Sequence, residues 1–134
     1  MFTSAKSFSA LVAIALITYA APATAVCSSG QMAVGRESLQ EFTGPNGSFE
    51  EYSGFLMANN CGLISQNGVT QNFNQLCSGG YNAGASVSCD GNHNPIAAVD
   101  TSGNHWNCSP TSDSSCDVGG SGGFFEVLAC CSRA

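Results

Sequence analysis

Two periods of apolar residues run along this chain. From Ser48, Phe49, Tyr52 and Leu56 recur at i, i+3 and i+7 with Phe55 and Met57 beside them, which predicts a helix with one apolar face. Ser48 and Glu51 have the spacing of a capping box at its start, and Gly62 in "NNCG" suits its end. A second helix is predicted across 67–80, where Val69, Phe73, Leu76 and Cys77 follow i, i+4, i+7 and i+8 before Gly79 and Gly80. Upstream, "QMAVG" (31–35) reads as a short strand and "RESLQEF" (36–42) as one helical turn, followed by a turn at 43–47.

The second half changes to period two. Ala85, Val87 and Cys89 alternate with Ser86 and Ser88, as in a half-buried strand, and "PIAAV" (95–99) is a further short strand. Residues 109–123 are turn formers throughout, bracketed in part by Cys108 and Cys116, for which a local disulfide is expected. "FFEVLACC" (124–131) is apolar on both faces apart from Glu126, the mark of a central strand covered on both sides. Adjacent strand residues point to opposite faces, so Cys130 and Cys131 anchor different layers. The simplest design is a disulfide-stapled α+β domain: a mainly antiparallel sheet with helices over both faces. Cys61 is expected to tie its helix to that sheet.

The amino terminus stands apart. Lys6 precedes an apolar stretch at 10–21, too short to span a bilayer, and "ATA" (23–25) fits a cleavage site. A signal peptide over 1–25 and a single domain over 26–134 are therefore expected, in a secreted, extracellular protein without membrane insertion. Cleavage leaves Arg36 and Arg133 against nine carboxylates, a net charge of −7. Without lysine, such a surface lacks the cations that release counterions from nucleic acid or anionic lipid, so nucleic acid is not expected as a held partner. All eight cysteines (27, 61, 77, 89, 108, 116, 130 and 131) lie in the mature part, and an even count behind a secretory signal implies four disulfides. No CxxC or histidine pair has metal-ligand spacing, and "DGNHNP" (90–95) lacks the Gly and Glu of a calcium loop. No cofactor is expected.

The rarest side chains cluster between Tyr81 and Asp117. "GNHW" (103–106) carries the only Trp and one of two His, and "GNHN" (91–94) echoes it. Two histidines with Arg36 and glutamates are the parts of an acid/base ribonuclease, with one His as base and one as acid. However, no carboxylate has an evident strand position beside His93 or His105, and Arg36 is remote in sequence. No GxSxG elbow is present. Neutral-ligand recognition fits the window better. Amides and carboxylates meet sugar hydroxyls in fixed geometry, and the flat apolar face of a sugar packs on an aromatic ring. The candidate ligand-binding residues are Tyr81, Asn82, His93, Asp100, Asn104, His105, Trp106 and Asn107, among further Asn and Asp. Asn46 in "NGS" is a glycosylation acceptor; Asn107 in "NCS" precedes a disulfide cysteine, which disfavours occupancy.

A cysteine soon before "AVGR", the segment ending in "NNCG", a Gly/Asn/Ser-rich second half and the closing "GGFFEVLACC" together resemble the small secreted glycan-binding proteins of mushrooms, of the ink-cap Y-three lectin type. The resemblance covers 27–133. It implies an α/β/α sandwich with an antiparallel sheet, a homodimer joined at sheet edges, and binding of glycans or glycoproteins bearing N-acetylhexosamine or fucose. No sugar-contacting residue is carried over from it. Hydrophobins differ, having internal Cys-Cys pairs where this chain has one terminal pair. The expected function is noncatalytic glycan binding in defence or recognition. The alternatives are a ribonuclease using His93 and His105, and a cysteine-rich killer toxin or effector that binds a protein partner.

Overall fold

Strands replace the helical segments expected at 36–42 and from Ser48. The computed structural model describes residues 25–42, 45, 47–116 and 124–134, leaving aside the side chains of 41, 42 and 112–114. Seven strands form one sheet: β1 Met32–Phe42, β2 Ser48–Ala58, β3 Leu63–Gln66, β4 Ser86–Cys89, β5 Pro95–Val99, β6 His105–Cys116 and β7 Phe124–Arg133. The order is β3-β2-β1-β7-β6-β5-β4, with every neighbouring pair antiparallel. Sequential hairpins make both halves, and β1 joins them by pairing with β7. The sheet curls into a half-barrel, open between β3 and β4. The expected antiparallel sheet is present. The expected helical layers are absent: among the described residues the only helical pieces are 3-10 turns at Gln75–Cys77 and Asn82–Gly84.

The segment predicted as a capped helix is β2. Residues 53–57 are buried on both faces, so apolar residues occupy successive positions and mask the period of two. Phe49, Tyr52 and Phe55 favour a pleated surface, and Gly54 disfavours helix. Gly54 is required there, because a Cβ would overlap the Tyr81 hydroxyl and the Leu76 backbone. The helical turn expected at 36–42 is part of β1, an unbroken strand of eleven residues. At 67–80 side chains satisfy the backbone locally and displace helix. Asn67 accepts from Gly54 N–H at 2.6 Å and donates to the carbonyls of Gln75 and Gly79, while Gln75 donates to Gly68 O. Strand β6 runs through 109–116, expected as turn; beyond Asn107 it has no β5 partner, which makes room for Pro110 and a register shift.

Each face of the sheet carries a core. On the first, Met32, Val34, Leu56 and Cys131 meet Leu76 and Tyr81 from the 67–85 connection. On the second, Ala33, Phe55, Met57, Phe125 and Val127 pack with Cys27 and Cys116. Disulfides Cys77–Cys89 and Cys108–Cys131 serve the first face, Cys27–Cys130 and Cys61–Cys116 the second. Cys130 and Cys131 thus anchor opposite faces, and Cys61 is tied to the sheet, both as expected. The local Cys108–Cys116 bridge does not form. Those residues stand eight positions apart along one extended strand, about 26 Å, far beyond the reach of a disulfide. Among the described residues no helix is long and apolar enough to cross a membrane. The predicted signal peptide, apart from Ala25, and Asn46 lie outside the described residues.

Candidate functional site

The window from Tyr81 to Asn107 does not converge on one site. Asp90–Asn94 and Asp100–Asn104 form two hairpin turns of the same design. In each, Asp donates its backbone N–H to the carbonyl of the Asn four residues on, and its own carbonyl accepts from the residue at the fourth position. One carboxylate oxygen of Asp90 accepts from the N–H groups of Asn92 and Asn94, as Asp100 does from Ser102 and Asn104, all at 2.9 Å. The second oxygen accepts from the Asn carboxamide, at 3.3 Å in the first turn and 2.9 Å in the second. His93 (φ 63°) therefore occupies the left-handed position held by Gly103 (φ 81°). The structural repeat is Asp-x-x-x-Asn at a spacing of ten, and the Gly-Asn-His echo at a spacing of twelve is unrelated to it.

The second turn extends into a cluster. The Trp106 indole N–H donates to Asp100 at 3.0 Å, Arg133 lies 5.5 Å from the indole centroid, and Arg133 donates to the Asn104 carboxamide oxygen. Burial alone would raise the Asp100 carboxyl, but the donors from Asn104, Trp106 and Ser102 outweigh it and bring it down to about 2. Asp90 is also held below the usual carboxylate value, first by the Asn94 and Asn92 backbone N–H groups. Trp106, half-buried against the first core, has its polar handle occupied.

The remaining candidates scatter. Tyr81 is buried, donates to Leu76 O at 2.7 Å, and burial pushes its phenol well above the usual range. Asn82 lends its carbonyl to Ser65. His105 and Asn107 are exposed and alternate with Trp106, so they face the other side of the sheet. His93 stands beyond the opposite end of β5 from His105; that strand spans about 13 Å, too far for both imidazoles to flank one phosphate.

A different constellation is assembled by β2, β1 and β7. Gly54, Arg36 and Glu126 lie in register as one row, and Tyr52, Ser38 and Phe124 form the next row on the same face. Arg36 binds Glu126 at 2.6 Å, and Phe73 stacks with its ring centroid 3.7 Å from the guanidinium carbon. Phe73 meets Tyr52 edge-on at 5.2 Å. Paired backbone bonds between Tyr52 and Thr70 hold the loop that carries it. The Tyr52 hydroxyl donates to Glu50, and this bond first, then burial and the Glu50 charge, holds the phenol protonated above its usual range. Arg36 Nε is buried and has no acceptor among the described residues. Phe73 and Phe124 remain 53% and 60% exposed, although Phe is among the residue types most often buried.

Two strand spacings place Tyr52 and Phe124 about 10 Å apart across the small Ser38. Two aromatic side chains thus flank the smaller Ser38 in one row, which we term the trough, with Glu126 and Glu50 in the adjoining rows on the same face. Such a surface packs against apolar ring faces and accepts hydrogen bonds from hydroxyls. Tyr52 and Phe73 were expected on helix faces and Arg36 was remote in sequence from both histidines, so the Arg36–Glu126 pair was not foreseen. Residues 36–42 carry no clean period of two, since Glu37 and Glu41 are polar like Arg36, Ser38 and Gln40, and the row appears only once β1 lies between β2 and β7. The chain matches no protein-family profile, no curated protein and no solved structure.

Proposed function

We propose that this is a secreted, noncatalytic glycan-binding protein whose ligand lies in the trough over β2, β1 and β7. The observation that carries the reading is the in-register row of Tyr52, Ser38 and Phe124, bordered by exposed Phe73 and by Glu126 and Glu50. Four disulfides hold the sheet beneath it, so the side chains are ordered before the ligand arrives and less entropy is lost on binding. The net charge of −7 expected for the mature chain favours neutral over anionic saccharides.

A glycan array tests this. Phe73→Ala and Phe124→Ala should each weaken the strongest saccharide signal about tenfold or more, since each removes a ring that the sugar would bury. Trp106→Ala, where it folds, should retain binding. An array on which the folded protein recognises no neutral glycan, alongside capture of a protein through Phe73 and Phe124, would favour the effector reading instead.

A further inference from the structure

We propose that Asn107 is an N-glycosylation site, with a lipid-linked oligosaccharide diphosphate as the glycosyl donor. The inference requires that the chain enter the secretory pathway, but not that the trough bind glycans. Asn107-Cys108-Ser109 is an acceptor sequon, and its middle cysteine belongs to a disulfide. In an extended strand, however, successive side chains point to opposite faces. Cys108 turns to the first face, where it bonds Cys131 against the core, while Asn107 and Ser109 are exposed on the second. The disulfide therefore lies beneath the strand and leaves the acceptor amide clear.

The surroundings of Asn107 suit a bulky substituent. It stands in register between Ala97 on β5 and Ser132 on β7, with Ser88 on β4 beyond Ala97. These small side chains make a low floor on which a first N-acetylglucosamine residue can rest. In the transfer, Asn107 Nδ2 forms a bond to the anomeric carbon. The bond from that carbon to the diphosphate oxygen breaks, the lipid diphosphate departs with the electron pair, and the amide loses one proton. The face that receives the sugar is opposite to the one bearing Tyr52, Ser38 and Phe124, so the trough stays open.

The full chain should be expressed with its own leader in yeast, reduced, treated whole with or without peptide N-glycosidase, then digested with chymotrypsin and its peptides analysed by mass. The proposal expects a glycan on the peptide containing Asn107, replaced by Asp at that position after the enzyme acts. Asn107→Gln and Ser109→Ala should each abolish it, Ser109→Thr should keep it, and Asn46→Gln should leave it in place. An unmodified Asn107 in the wild-type chain, whether the protein is secreted or retained, overturns the proposal. Because array binding is read on the other face, Asn107→Gln should leave it unchanged.

Discussion

Asp100 gathers two backbone N–H groups, a carboxamide and the indole of Trp106 onto one carboxylate, and most of the chemistry expected of the GNHW segment is consumed there. Asp100→Ala should cost about 1–3 kcal/mol in a denaturant titration, because four donors lose a charged acceptor. The pH dependence follows from a carboxyl lowered to about 2 from an ordinary value near 4. Its contribution is complete above about pH 4 and is lost as pH falls through about 2, so the stability gap between wild type and Asp100→Asn should close over that interval. His93 makes the complementary case. If the two turns are equivalent, His93→Gly should stabilise the protein by about 0.5–1 kcal/mol, as a left-handed backbone is freed of its Cβ at some entropic expense. A melting temperature that falls would contradict the equivalence. None of this was legible in the Gly-Asn-His repeat. The relevant repeat pairs Asp with Asn, and its third partner, Arg133, comes from the far end of the chain.

Among the elements, β5 was readable at its full extent, β4 by its alternation although it begins at Ser86 and not at Ala85, and β7 as a two-sided central strand. β1 and β2 were not. Burial on both faces removed the alternation from 53–57, and the residual spacing of Phe49, Tyr52 and Leu56 imitated a helix. The trough was lost with them, since its rows exist only when β2, β1 and β7 lie side by side. Gly54 is the residue on which this arrangement turns. Gly54→Ala should destabilise the protein by more than about 2 kcal/mol, because the added methyl meets the Tyr81 hydroxyl and the Leu76 backbone. Thermal melts of Gly54→Ala beside Gly91→Ala, where a Cβ meets nothing within 4 Å, check it.

For the whole molecule, the cysteine count foretold four disulfides, whereas the pairing depended on strand register that composition does not reveal. Cys27–Cys130 closes a separation of 103 residues and Cys77–Cys89 one of 12. In the chain-entropy account these are worth about 4.7 and about 3 kcal/mol, so replacing the first pair with Ser should lower stability more than replacing the second. Urea titrations of the two double variants make the comparison, and an equal loss would show that loop length does not govern it. The stapled half-barrel holds the GNHW loop together through Asp100, and the ligand site we propose lies on β2, β1 and β7. Backbone NMR of the folded protein, titrated with the saccharide that scores highest on the array, tests it most directly. The amides of Ser38, Tyr52, Phe73 and Phe124 should shift with saturation while those of Asp100–Trp106 stay still. Shifts confined to Asp100–Trp106, or no saturable shift with any array saccharide, would contradict it.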